Sequence, residues 1–340
     1  MNENELPETL QAAILYFANE ENCHNLMVSM RWGSGPITCP HCNSSVVGKL
    51  VVSQRTTKDR TLKNGKFVKG VVLTRRLWNC SLCKKQFTLK TGSIFEDSPL
   101  GLDKWLTGLW LLVNAKNGVS SYEIAKAIGI TQKSAWFLAQ RLRLALHEGS
   151  FEKMSGTVES DESYIGAKAR NMHKDKRLEK VKGTGPIAMT AVQGVLERTT
   201  RDAHSRVKLK VVKTTKKAEI QGNVREYVLK GSEVHTDALK SYQGLNADFV
   251  HKVVDHAVCY VKDNVHTNGL ENFWSLLKRT IKGTYVCPRP FHLFRYLDEQ
   301  AFRFNERKDD DQGRFLKAAQ SVKGRRLTYR TLTGKAAVAV

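Results

Sequence analysis

Two C-x-x-C pairs, Cys39 with Cys42 and Cys80 with Cys83, constrain the fold of this chain more than any other feature. Each pair fits a tight knuckle whose thiolates point at one ion, and two knuckles complete a tetrahedral shell for zinc. Four ligands close that shell and leave no position for a substrate. The spacing therefore predicts a structural ion whose binding free energy is folding free energy for a module with little core of its own. His41 lies between the first two cysteines and is surplus to a four-thiolate site. Cys23, Cys259 and Cys287 are read as reduced, structural or incidental thiols. The stretch between the pairs is longer than in an ordinary finger and carries Arg55, Lys58, Arg60, Lys63, Lys66 and Lys69, which predicts a basic hairpin grafted onto a zinc ribbon. Buried thiols in a chance pattern, or a redox dithiol, fit the doubled spacing less well.

The charge balance narrows the choice of partner. The 340 residues hold 55 Lys and Arg against 33 Asp and Glu, a net charge of +22, which points to a polyanion. Nucleic acid is the first candidate. A membrane surface would require an amphipathic basic helix or a lipid anchor, and neither is evident. No apolar run approaches the roughly 20 residues needed to cross a bilayer, and the acidic start MNENELPETLQAAILYF is unlike a secretory signal. A cytoplasmic protein with no membrane partner is expected.

Periodicity divides the chain into four parts. Residues 1–97 hold a helix-like stretch (8–19) and the ribbon with its basic insert; residues 98–150 are helical; residues 151–310 mix strands and helices; residues 311–340 form a basic tail. In the second part Trp105, Leu109 and Leu112 make one apolar stripe, and Ile124, Ala127 and Ile128 another. The segment SSYEIAKAIGITQKSAWFLAQRLRLAL has the form of two short helices joined at Gly129, with Ser120 or Ser121 capping the first and Thr131 the second. Read as a helix-turn-helix, it sets Gln132, Lys133 and Ser134 at the base-reading end, with Arg141 and Arg143 further along the helix. The plain alternative is a helical linker. Gly149 to Gly156 reads as the connection to the third part. That part presents three strands, a helix, a strand, a helix near 268–282, a short strand and a helix near 290–306, with a basic loop at 166–185. A mixed α/β sheet accommodates this order.

Three carboxylates of this region suit a metal. Asp161 lies in VESDESY, Asp237 ends EVHTD, and Glu271 lies on TNGLENFWSLLKRTI. Phosphodiester chemistry needs two divalent ions roughly 3.5–4 Å apart, and carboxylates are the hard-oxygen ligands that hold them. Leu270, Phe273, Trp274 and Leu277 follow the helical rhythm of a buried face, while Asn268, Glu271, Ser275 and Lys278 form a polar stripe. A carboxylate and an ammonium two turns apart suit a metal and a phosphate together. Each acid also has a bland reading: Asp161 as a solvated edge beside Glu159 and Glu162, Asp237 as a helix cap, Glu271 as an ordinary exposed residue.

The run VESDESYIG, then VHTDALKSY, then HTNGLENFWSLLKRTIKGTY with HLFRYLDEQAFRFNER resembles the bacterial insertion-sequence transposases of the IS1595 group, called ISXO2-like and related to the eukaryotic Merlin elements. The resemblance covers nearly the whole chain, ribbon included. It implies a DDE transposase with a ribonuclease-H-like core, dependent on Mg²⁺ or Mn²⁺, acting on the terminal inverted repeats of its own element and on target DNA. It also implies a bacterial protein that is nucleoid-associated when bound to DNA and a homo-oligomer when two ends are synapsed. Carried over by position, Asp161 takes the first acidic place and Asp237 the second. The third is read as Glu271, since a carboxylate is the stronger ligand and Lys278 then falls two turns later, with Asn268 one turn away as a neutral ligand or supporting partner. In the mechanism this suggests, Lys278, Arg279 and the 166–185 loop hold phosphates. Two other functions fit the same motifs: a domesticated, catalytically inactive DNA-binding protein, and a structure-specific repair nuclease.

Overall fold

In a computed structural model of the chain, the residues described are 6–61, 65, 67–70, 72–147, 152–166, 169–180, 189–201, 203–254 and 265–334. The expectations that involve Lys63, Lys66, Gly149, Cys259 and residues 167–168 and 181–185 of the basic loop fall outside them. The chain divides into two compact units, Met1–Leu109 with Leu316–Val340, and Trp110–Phe315.

The first unit comprises α1 (Leu10–Ala18), α2 (Glu20–Trp32), β1 (Val51–Thr56), β2 (Arg60–Thr61), β3 (Phe67–Val68), β4 (Val72–Asn79), β5 (Gln86–Phe87) and the start of α3 (Leu102–Asn114). The helix expected at 8–19 is α1, which Asn19 ends; the Asn19 side chain then accepts from the Glu21 and Asn22 amides to start α2, a further helix outside that expectation. The second helix was hard to read since its buried set includes Cys23 and His24 beside Leu26 and Met27. The basic insert is a pair of antiparallel ribbons, β1 with β4 and β2 with β3. Trp78 organises the core here: His24 and Phe87 each stack on it at 5.7 Å, and Trp32 meets it edge-on at 5.6 Å.

The second unit continues with α4 (Ser121–Ile128), α5 (Gln132–Ala145), β6 (Thr157–Ile165), α6 (Lys174–Lys180), β7 (Thr190–Glu197), β8 (Arg206–Val211), α7 (Lys217–Tyr227), β9 (Glu233–Asp237), β10 (Val250–Val254), α8 (Asn268–Thr280), α9 (Pro290–Asn305) and the start of α10 (Asp311–Gln320). The C-terminal stretch, expected as a basic tail, is folded. It carries α11 (Tyr329–Leu332), and in the first unit the Ile94 amide donates to Val322 and the Gly324 amide to Gly92.

Strand order in the main sheet is β10-β9-β6-β7-β8. β6, β7 and β8 run antiparallel, whereas β9 lies parallel to β6 and β10 parallel to β9. One sheet face packs Ile165, Val192 and Leu196 against Leu270, Phe273, Trp274 and Leu277 of α8 and Leu293 and Leu297 of α9. The other packs Val158, Val195 and Val234 against Ile220 and Val224 of α7 and the ring of Tyr242. The fifth strand is β10, not the short strand expected between the last two helices. Those five residues are mostly exposed and carry little apolar signal. The expected strand is instead a π-helical turn, Ile281–Tyr285, that prolongs α8.

The α4–α5 pair forms as its caps dictate. Ser120 and Glu123 make a reciprocal capping box, Gly129 takes the left-handed conformation (φ 65°), and the Thr131 hydroxyl accepts from the Ser134 amide. Ile124, Ala125 and Ile128 are the buried set of α4; Ala127 is exposed. The arginines of α5 do not face outward. Arg143 is buried, ion-paired to Glu299 of α9 at 2.6 Å and set between the rings of Tyr285 and Tyr296. Arg141 is also buried, its guanidinium over the Phe137 ring. This corrects Arg141 as a base-reading residue: a side chain 3% exposed within the packed half of a helix has no surface to offer a groove.

Candidate active site and structural metal centre

In the first unit the cysteine pairs make two matching knuckles. The Asn43 amide donates to the Cys39 carbonyl and the Lys84 amide to that of Cys80, at 2.8 and 3.0 Å. Both Asn43 and Lys84 sit at positive φ, 56° and 59°. Amides also reach the sulfurs, His41 to Cys39 and Cys83 to Cys80. That second contact, first among the causes, draws the Cys80 thiol down to about 7 and favours the thiolate that a metal needs. All four sulfurs lie within 4.8 Å of one another, with 3.7 Å from Cys39 to Cys83 and 3.6 Å from Cys42 to Cys80. A tetrahedron with metal–sulfur bonds of about 2.3 Å has edges of about 3.8 Å, so the donor set fits zinc and is far from disulfide geometry. Among the described residues this is the one such cluster; the three acids of the second unit do not close on a common point in the same way.

In the second unit the sheet aligns the first two acids. The parallel pairing of β6 with β9 runs from Thr157 opposite Glu233 to Ser160 opposite Thr236, and the next position on each strand is Asp161 and Asp237. Asp237 closes a turn by accepting from the Leu239 amide at 3.1 Å. The third acid arrives on α8, which is fixed to the strand by the buried carboxylate of Glu159. That group accepts from the Leu270 amide at 2.8 Å, in the first turn of α8, and pairs with Arg198 at 2.7 Å. An anion at a helix N-terminus meets unpaired amides and the positive end of the helix dipole.

Two glycines set this approach. A Cβ at Gly269 would lie 2.8 Å from a Glu159 carboxylate oxygen. A Cβ at Gly194, the residue paired with Asp161 on β7, would lie 2.7 Å from the Trp274 ring. Trp274 thereby lies across the strand, and its indole N–H donates to Asp161 Oδ2 at 2.8 Å.

The result is an open cleft of about 490 Å³ lined by Asp161, Glu162, Ser163, Glu271, Trp274, Ser275 and Lys278. Of the polar stripe read on α8, Glu271, Ser275 and Lys278 line it; Asn268 is exposed in the first turn and is not part of the lining. Asp237 reaches the cleft through its field. Burial raises the Asp161 carboxyl to about 6; the Trp274 hydrogen bond opposes this, and the nearby charges of Asp237 and Glu271 add to it. Burial likewise raises Glu162 to about 8, against a hydrogen bond from the Tyr242 hydroxyl and with help from Asp161 and Asp237. These carboxylates resist joint ionisation, which is the condition of a site short of positive charge.

Sequence reading missed Glu162, Glu159 and the two glycines. Period-two alternation was the available signal: Val158 and Ile165 lie on opposite faces of a strand covered on both sides, so the acids between them are not a solvated edge. On α5, Lys133 is exposed, Gln132 is tied to the Ser121 hydroxyl, and Ser134 meets the Thr131 hydroxyl. Arg279 is exposed at the end of α8.

Comparison with known proteins agrees with this division. Residues 153–305 match the ISXO2-like transposase domain, and residues 18–86 match the transposase zinc-ribbon domain. The chain is similar to a protein of transposable element ISH50 from Halobacterium salinarum, 25% identical over 280 residues that span 77% of this chain and 83% of that one. It is 33% identical over 115 residues to a transposase-like protein of Haemophilus influenzae, spanning 34% of this chain and 91% of that one. With a zinc ribbon in its first unit and a transposase domain in its second, the chain belongs to the IS1595, or ISXO2-like, family of transposases.

Proposed function

We propose that this transposase binds the inverted repeats at the ends of its own element and carries out metal-dependent cleavage and strand transfer on a ribonuclease-H-like core. The carrying observation is the adjacency of Asp161 and Asp237 on parallel strands, with Glu271 and Lys278 lining the cleft at Asp161. Three antiparallel strands followed by two parallel ones, in the order β8-β7-β6-β9-β10, support the ribonuclease-H-like reading of the core.

Asp161, Asp237 and Glu271 would hold the divalent ions, Mg²⁺ or Mn²⁺. The raised proton affinity of Asp161 and Glu162, due first to burial and then to neighbouring carboxylates, supports the fit, since a cation offsets the same uncompensated negative charge that a proton does. Bound there, such ions supply charge stabilisation to the attacking and leaving oxygens of a phosphodiester. The side chains of this chain do the positioning. Trp274 holds Asp161 in one orientation, Glu159 holds the first turn of α8, and Lys278 and Arg279 offer cations to DNA phosphates. Water attacks at the element end, and the freed 3′ hydroxyl then attacks target DNA, so neither step needs a protein nucleophile.

Lys133 and the first turn of α5 are the part of the helix-turn-helix that remains open to DNA, and the zinc ribbon with its basic insert is the second DNA-binding module. Synapsis of two ends calls for at least a dimer. The test is an oligonucleotide carrying one element end, incubated with Mg²⁺. Wild-type protein is expected to nick and join it, while Asp161→Asn protein binds it without cleavage. Cleavage by Asp161→Asn would sink the assignment, and binding without cleavage by wild type would favour a domesticated DNA-binding protein.

A further inference from the structure

The segment that follows α8 holds a feature that cleavage chemistry does not use. Val286 adopts φ 64° and ψ −70°, and the Cys287 amide donates to the Tyr285 carbonyl across it at 2.8 Å. That is a γ-turn of the strained hand, centred on a β-branched residue in a backbone region such residues avoid. Strain of this kind persists where the surroundings over-determine it. Here they do. The Tyr285 hydroxyl donates to Glu299 and accepts from the Val119 amide, and its ring meets Tyr296 at 4.8 Å. Gly118 gives way to that ring, since a Cβ there would collide with the phenol oxygen. The Thr284 hydroxyl donates to the Asn117 carbonyl, and Pro288 and Pro290 stiffen the exit.

The anchored base forces the valine outward, and Val286 is 74% exposed. A glycine would relieve the turn at once, so the turn itself does not call for a valine. The charge around the tip shows what it suits. From residue 272 to 297 the chain contains Lys278, Arg279, Lys282, Arg289 and Arg295 and no Asp or Glu, and the first four of these are exposed. An exposed apolar tip in a stretch whose exposed charges are all cationic fits a polyanion with apolar interior faces, that is, duplex DNA, better than a second protein surface.

We infer that Val286 is a pre-formed wedge that enters a base step of the bound DNA duplex while Lys282 and Arg289 hold the flanking phosphates. This rests on the DNA-binding part of the proposed function.

The experiment uses the full chain and duplexes spanning the DNA end that flanks its reading frame, each with one 2-aminopurine, without divalent metal so that no strand is cut. Anisotropy reports binding, and 2-aminopurine emission reports unstacking. Wild type is expected to raise emission several-fold at one step. Val286→Gly keeps or raises the melting temperature, because it removes backbone strain, yet loses the emission and weakens binding by up to roughly tenfold. Val286→Leu restores the emission. Bound wild-type protein that unstacks no position, or Val286→Gly protein with wild-type emission, overturns the wedge and leaves the DNA-binding reading intact. A duplex that does not bind at all overturns that reading. A change in sedimentation of the DNA-free protein on Val286→Gly, with emission unaltered, assigns the tip to a second copy and also overturns the wedge.

Discussion

The four-cysteine centre and the acidic cleft both gather negative charge, from opposite starting points. The knuckles are local, matching and closed: six backbone and sulfur contacts within two six-residue segments, 39–44 and 80–85, fix the thiols, and a tetrahedral ion completes them. The cleft is assembled from β6 and α8, with Asp237 of β9 acting on it through its field; it stays open and holds carboxylates whose proton affinity is raised by burial and by one another's charge. One site stores folding energy in its ion. The other stores the cost of holding carboxylates out of water and close together, which a substrate-handling site can use and a structural site cannot.

The contrast breaks first at the ribbon. Chelation of zinc, or Cys80→Ser, is expected to unfold the ribbon, with an effect on the order of 10 kcal/mol in apparent metal-linked stability. Loss of Trp78 near-ultraviolet circular dichroism together with stoichiometric zinc release checks it. A ribbon that keeps its tertiary signal without metal would mean that the core around Trp78 suffices.

The cleft should behave in the reverse sense. Asp161 and Glu162 have folded-state values near 6 and 8, above their ordinary 3.8 and 4.5, so the folded protein binds more protons than the unfolded chain in between. Their contribution to stability is fully present below about pH 4 and is lost as the pH rises through 6 and 8. Metal-free protein should therefore melt lower at pH 8.5 than at pH 5.5, by something on the order of 3 kcal/mol. Mg²⁺ should restore the melting temperature at the higher pH and do little at the lower; Glu162→Gln should flatten most of the profile, whereas Asp161→Asn should remove only its smaller, lower-pH part while abolishing cleavage. A pH-independent melting temperature would contradict the buried-charge account.

Gly194→Ala tests how finely the cleft is held. The added methyl meets the Trp274 ring, so the indole must shift off Asp161, at about 1–3 kcal/mol of stability. Metal-dependent cleavage should fall while DNA binding holds. The smallest effect belongs to α5. Lys133→Ala should lower the salt slope of DNA binding by about one and leave stability unchanged, whereas Arg141→Ala should lower the melting temperature through lost packing. An unchanged salt slope for Lys133→Ala would remove that turn from the DNA surface.

Local pattern made much of the molecule legible. The cysteine spacing gave the ribbon, Thr131 and Gly129 gave the helix pair, and the rhythm of Leu270, Phe273, Trp274 and Leu277 gave the buried face of α8. The polar stripe was readable for the same reason, and three of its four members do share the cleft with Asp161. β10 and α2 were missed because a short exposed edge strand and a helix buried on Cys23 and His24 carry weak hydrophobic signals.

What the sequence determined by itself is whatever depends on neighbours in the chain: knuckles, caps and amphipathic faces. Only the tertiary structure decided that Glu162 is half-buried beside Asp161, that Arg141 faces inward, that Gly194 makes room for Trp274, and that Val286 is held out in a strained turn. Each of these follows from contacts between residues distant in sequence. Burial and field are summed over elements that meet only when the sheet and its covering helices close.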